Sequence, residues 1–208
     1  VRWFWFIALL LFPQVAVAAP LVKTGDRVWV IGDSNGWLLL HELPKLAERD
    51  GVTLEGNPVG GASLFWWTDP EHRRYLWQMN GFYPDVVVVV LGTNDAHFPQ
   101  DVFASMPERM RKLQMEAALV GRTVVWIGPP KLREPVEFGA DAFRLMVMEA
   151  GLPLLDSRQC VFPMLHDGIH PTIQGRRTWA AWIWKELTTV DNGGVTGYSE
   201  DTRWLTPS

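Results

Sequence analysis

Hydrophobic residues in this chain fall into two kinds of block. Short β-branched runs predict strands, and longer stretches with apolar residues every three or four positions predict amphipathic helices. Arg27–Ile31 reads as a first strand ending at Gly32, and Val52–Val59 as a weaker second one leading into Gly60-Gly61. Asp85–Leu91 is the strongest strand, with valine at every position from 86 to 90. No polar residue interrupts that run, so both faces must be buried, as in the centre of a parallel sheet. Thr123–Ile127 is a fourth strand, closed by Gly128-Pro129-Pro130, and Leu152–Asp156 a short fifth. Helices are predicted over Trp37–Arg49, Asp69–Asn80 with Pro70 as its first residue, Val102–Val120, Pro135–Ala150 and Pro171–Leu187. Alternating strands and helices imply an α/β domain whose parallel sheet is covered on both faces. Sites in such sheets form beyond the carboxyl ends of the strands.

The two ends differ from this pattern. Arg2, the apolar run Trp3–Phe12 and the small-residue site Ala16-Val17-Ala18 describe a secretory signal peptide over residues 1–18, cleaved after Ala18. An uncleaved membrane anchor is the alternative, although about 20 apolar residues are needed to span a bilayer. The expected location is therefore periplasmic or secreted. Residues 19–190 form one domain without repeat or linker, and the polar residues 191–208 a loosely packed tail.

Composition narrows the classes of function. With 208 residues, 48% of them apolar, the chain can build one substantial core. A net charge of −4 offers no basic face for nucleic acid. Cys160 is the only cysteine, so no intrachain disulfide forms, and beside Val161-Phe162 it reads as a small core residue.

Four separated segments carry the candidate chemistry: Gly32-Asp33-Ser34, Gly60-Gly61-Ala62-Ser63, Gly92-Thr93-Asn94-Asp95 and Asp167-Gly168-Ile169-His170. Three directly follow a predicted strand. Acyl transfer needs a nucleophile, a base, a group that orients the base, and donors for the developing oxyanion. Ser34, His170 and Asp167 can fill the first three roles. Asp167 and His170 are three residues apart, so one tight turn can join Asp167 to Nδ1 and leave Nε2 for the Ser34 proton. The structural alternatives are plain: Ser34 as a helix cap, Asn94 as a strand-end turn residue, Asp167 as a cap with an incidental histidine. His166, Asp167 and His170 are also a conceivable metal-ligand cluster. Asp95 reads as a loop anchor.

Together the four segments resemble the SGNH (GDSL-type) hydrolase family, from Arg27 to Leu187. The resemblance implies a flavodoxin-like three-layer α/β/α sandwich with a five-stranded parallel sheet. It implies Ser34, His170 and Asp167 as catalytic residues, and Ser34, Gly61 and Asn94 as the oxyanion hole, without cofactor or metal. Gly61 is preferred to Gly60 because small residues such as Ala62-Ser63 usually follow the family's glycine. Asn35 departs from the apolar residue common there. The implied activity is ester hydrolysis, with acetyl groups on carbohydrate the favoured substrate. Longer-chain lipase or thioesterase activity, acyl transfer, and a non-catalytic glycan-binding module remain as alternatives. Trp37, Trp66 and Trp67 near the predicted site read as core aromatics, with sugar stacking as the second reading.

Overall fold

A computed structural model describes residues 19–119 and 122–189 and the short strand Val195–Thr196. The signal peptide expected over residues 1–18 and most of the tail lie outside the described residues. Five parallel strands build the sheet: β1 (Arg27–Gly32), β2 (Thr53–Gly56), β3 (Val86–Val90), β4 (Thr123–Ile127) and β5 (Leu154–Leu155). A sixth strand, β6 (Val195–Thr196), which the sequence did not suggest, pairs antiparallel with β5 at the edge. The order is β2-β1-β3-β4-β5-β6, so the connections reverse direction between β1 and β3. Crevices open at such a reversal, beyond the carboxyl ends of the two strands. Ser34 follows β1 and Asn94 follows β3, so both stand at that crevice.

The five valines behave as their lack of polar partners demands. Val86, Val88 and Val90 enter one core layer and Val87 and Val89 the other, each at most 2% exposed. The first layer is closed by α1 (Ser34–Leu39), α2 (Leu43–Arg49) and α8 (Ile173–Thr188), through Leu39, Leu43, Trp179 and Ile183. The second is closed by α3 (Leu64–Thr68), α4 (Arg73–Phe82), α6 (Met106–Ala118) and α7 (Val136–Glu149), through Trp67, Met79, Met110 and Phe143. A short α5 (Gln100–Phe103) precedes α6.

Two predicted helices are each broken in two. The stretch Trp37–Arg49 is α1 and α2, with α1 starting earlier, at Ser34, and Leu40 as its C-cap. Pro44 is the cause: it has no N–H for the Leu40 carbonyl, and its ring clashes with that group. Pro107 separates α5 from α6 in the same way, opposite Phe103. The helix expected from Asp69 starts as a 3₁₀ turn over Pro70–His72 before α4. Helix α3 was not expected; Ser63 caps it, accepting from the Trp66 N–H at 3.3 Å. The second and fifth strands are shorter than predicted, and the last helix begins at Ile173 because Thr172 is its cap, accepting from the Gly175 N–H. Among the described residues no helix is long and apolar enough to cross a membrane.

Candidate active site

Ser34 is the first residue of α1, and the cap before it is Asp33. The Asp33 carboxylate accepts the Asn35 N–H at 2.8 Å and also receives the Gly36 N–H. Two of the free donors at the helix start are thereby used, and the cap role that Ser34 could have filled is taken. Among the described residues no acceptor faces the Ser34 N–H. Its hydroxyl lies 3.0 Å from His170 Nε2.

His170 stands on a turn that also carries its partner. Leu165 N–H donates to the His170 carbonyl at 2.7 Å, and Gly168 N–H to the Leu165 carbonyl at 3.0 Å. Inside this turn Asp167 Oδ1 accepts the N–H groups of Ile169 and His170 at 2.9 and 3.0 Å. Asp167 Oδ2 is 2.8 Å from His170 Nδ1. Its slight burial acts to raise the Asp167 pKa, but the hydrogen bonds from the His170 N–H, the His170 ring and the Ile169 N–H outweigh that and hold it at about 2. Asp167 is thus ionised at neutral pH and fixes Nδ1 as the protonated ring nitrogen, which leaves Nε2 to accept from Ser34. The turn needs Gly168: its φ is +67°, and a Cβ there would lie 2.5 Å from Arg133 Cβ.

The other two expected oxyanion donors, Gly61 and Asn94, stand on the turn after β2 and at the end of β3. Gly61 has φ +78° in an exposed turn, and among the described residues its N–H has no acceptor. Gly60 N–H has none either, so the distinction between the two glycines rests on the conformation that only Gly61 requires. The next amide, Ala62, is committed to the Val59 carbonyl. Asn94 donates one Nδ2 hydrogen to the Ala62 carbonyl at 2.8 Å, which ties β3's end to the glycine turn and leaves its second hydrogen available.

Sequence reasoning missed the polar layer beneath these groups. Asp33, Asn35, Thr93 and Asp95 are all buried. Asn35 Nδ2 donates to Thr93 Oγ1 at 3.1 Å and approaches the Ile169 carbonyl at 3.5 Å, so it links the nucleophile's helix to β3 and to the histidine turn. An apolar residue at position 35 could do neither, which gives a physical sense to its departure from the family pattern. Asp95, read from the sequence as a loop anchor, accepts the Leu64 N–H at 2.9 Å through Oδ1 and so holds the start of α3. Burial pushes Asp33 up to about 6, against hydrogen bonds from Asn35 and Gly36 and the charge of His170. Burial also pushes Asp95 up to about 7, against the Leu64 hydrogen bond and reinforced by the charge of Asp33. The sequence signal for Asp33 was its place between Gly32 and Ser34, which shows neither its burial nor its cap role.

The remaining candidates separate. His166 faces outward and its carbonyl accepts from Arg133, and among the described residues no three His, Cys, Asp or Glu side chains gather as a metal would require. Cys160 is half-buried, and burial pushes its thiol up. Trp67 is core, 1% exposed and donating to the Gly32 carbonyl, and Trp66 stacks on the His72 ring. Trp37 is 52% exposed. With Ser34, Leu38, Leu165, His170, Ile173 and Arg176 it lines a cleft of about 330 Å³.

No family model and no curated protein matches the sequence. The fold is nonetheless shared with solved structures. A structure described as an SGNH hydrolase from Slackia heliotrinireducens is 20% identical, with a TM-score of 0.61 over 79% of this chain and 98% of that one. An acetylxylan esterase from Geobacillus stearothermophilus is 14% identical, with a TM-score of 0.60 over 81% and 96%. An α/β hydrolase from the metagenome of Lake Arreo, Spain, is 16% identical, with a TM-score of 0.60 over 82% and 100%. The chain therefore has the fold of the SGNH (GDSL-type) hydrolases, over nearly the full length of these neighbours.

Proposed function

We propose that this protein is an exported serine esterase that hydrolyses oxygen esters, with O-acetyl groups on carbohydrate as its substrate. The observation that carries this reading is the continuous relay from Ser34 Oγ to His170 Nε2 at 3.0 Å and from His170 Nδ1 to Asp167 Oδ2 at 2.8 Å. Ser34 Oγ attacks the ester carbonyl while Nε2 takes its proton. The oxyanion receives the Ser34 and Gly61 N–H groups and the free Asn94 amide hydrogen. Protonated His170 then gives its proton to the departing alcohol oxygen. Water, deprotonated by the same Nε2, releases the acid from the acyl-enzyme. Every step uses groups of this chain.

Carbohydrate as the alcohol is supported by the acetylxylan esterase among the structural neighbours and by the exposed Trp37 indole at the cleft. Export rests on the Trp3–Phe12 run and the Ala16-Val17-Ala18 site. The test is covalent labelling with a fluorophosphonate, mapped to Ser34 and abolished in Ser34→Ala, beside acetate release from acetylated xylan. Absence of labelling overturns the esterase. Faster turnover of octanoyl than acetyl esters overturns the acetyl preference. N-terminal sequencing of protein exported by a bacterial host checks the cleavage after Ala18.

A further inference from the structure

We propose that the cleft beside Ser34 and His170 is the subsite for the leaving alcohol, and that Trp37 is its specificity-determining residue, the platform on which a pyranose ring stacks. This inference rests on the esterase reading and specifies where its substrate lies. The direction follows from the reaction. In the tetrahedral intermediate the oxyanion points to the Ser34 N–H, Gly61 and Asn94, and the leaving oxygen must point to His170 Nε2, its proton donor. The alcohol therefore extends from Ser34 toward the His170 side. The cleft lies there: His170, Pro171, Thr172, Ile173 and Arg176 line it, and neither Gly61 nor Asn94 does.

The walls select the class of alcohol. Trp37 is largely exposed, and the His41 ring packs perpendicular to it with centroids 4.5 Å apart and planes at 86°. A flat aromatic face matches the C–H face of a pyranose, whose hydroxyls then radiate around its rim. Arg176 is fixed at that rim: its Nε donates to Glu42 Oε1 at 3.1 Å. Glu42, buried, is further held by Lys45 and Arg177. The Glu42 pair uses Nε, and among the described residues the two terminal nitrogens of Arg176 have no acceptor, so they remain as preorganised donors for sugar hydroxyls. An acyl chain would have no use for a guanidinium clamped in this way. At about 330 Å³ the cleft is at the small end of ligand sites, suited to a sugar unit more than to a long chain.

The experiment compares Trp37→Ala, Trp37→Phe and wild type on two acetyl esters, acetylated xylo-oligosaccharide and vinyl acetate. Both give the same acetyl-enzyme and differ only in the alcohol. Trp37→Ala is expected to lower kcat/KM on the oligosaccharide roughly ten- to hundredfold, mostly through KM, with vinyl acetate changed by about twofold or less. Trp37→Phe should recover part of the loss. Equal losses on both esters, or none on the oligosaccharide, overturn the subsite. Calorimetric binding of unacetylated xylo-oligosaccharide to Ser34→Ala, with and without Trp37→Ala, needs no turnover. Binding that depends on Trp37, beside a wild type that fluorophosphonate does not label at Ser34, keeps the platform and overturns the esterase; binding indifferent to Trp37 overturns the platform.

Discussion

The charge of Asp33 opposes the ionisation of Asp95, and both carboxyls are fully buried. One oxygen of each, Oδ2, has no hydrogen-bond partner among the described residues, as has Asn35 Oδ1. A buried carboxylate oxygen without a donor is costly when charged and tolerable when protonated.

Stability is therefore expected to fall as pH rises from about 4 to about 7. The folded carboxyls, raised from 3.8 to about 6 and about 7, keep protons there that the unfolded chain has released. At about 1.4 kcal/mol per pH unit, Asp95 alone accounts for a loss on the order of 4 kcal/mol across that window. Asp167, held low and largely exposed, works oppositely and weakly, only between about 2 and 4. Urea denaturation of wild type and Asp95→Asn from pH 4 to 8 is the measurement. The variant, whose Oδ1 can still accept from Leu64, should show a flatter profile; a wild type whose stability does not fall over this range contradicts the buried-acid account.

Asn94→Ala should lower kcat and kcat/KM together by about 10²–10³ with KM little changed, because its free amide hydrogen meets charge that exists only after attack. Steady-state kinetics on an acetyl ester checks this. A raised KM with kcat intact would make Asn94 a substrate-positioning residue instead.

Asp167→Asn keeps an oxygen for the N–H groups of Ile169 and His170, so the turn should persist. Its amide nitrogen, however, cannot accept from Nδ1, and the imidazole loses both its tautomeric bias and the charge that stabilises it. A fall of about 10⁴ in kcat is expected, with the melting temperature changed little. A large drop in melting temperature would show instead that Asp167 mainly holds the turn together.

Gly168→Ala should impair activity through conformation. It combines a φ of +67° with a contact at 2.5 Å to Arg133 Cβ, whose own N–H donates to the Gly168 carbonyl at 3.2 Å. Strain of about 1–3 kcal/mol is expected. Fluorophosphonate labelling should slow, and Arg133→Gly should restore only the part due to the contact. Unchanged labelling in Gly168→Ala would show that the turn adjusts.

The parts of the fold that could be read in the sequence are those fixed by local chemistry. Five valines demand two covered faces whatever surrounds them, and Thr123–Ile127 is β-branched or aromatic throughout, so both strands form where expected. Helix breaks at Pro44 and Pro107 were legible in principle, since a proline removes the bond to the carbonyl four residues earlier, but the apolar spacing around them masks the break. Ser34, Asp167 and His170 stood out because each lies in a short polar segment after or between apolar runs. Asn35 did not, because its role depends on contacts with Thr93 and Ile169, residues 58 or more positions away, and Asp33 did not, because its burial comes from the packing around it. The same limit applies to the tryptophans: nothing local distinguishes Trp67 in the core from Trp37 at the cleft.

The proposed base and its orienting acid share the turn from Leu165 to His170, closed by two backbone hydrogen bonds of its own. The proposed nucleophile, Ser34, lies 136 residues from His170 in sequence, on a different element of the fold. A local opening of this one turn would disconnect Ser34 from both partners together without requiring the valine-filled sheet to open. Catalysis by the proposed relay would then be lost and regained as a unit, with the lifetime of activity set by a few residues at the rim and the lifetime of the fold by the sheet.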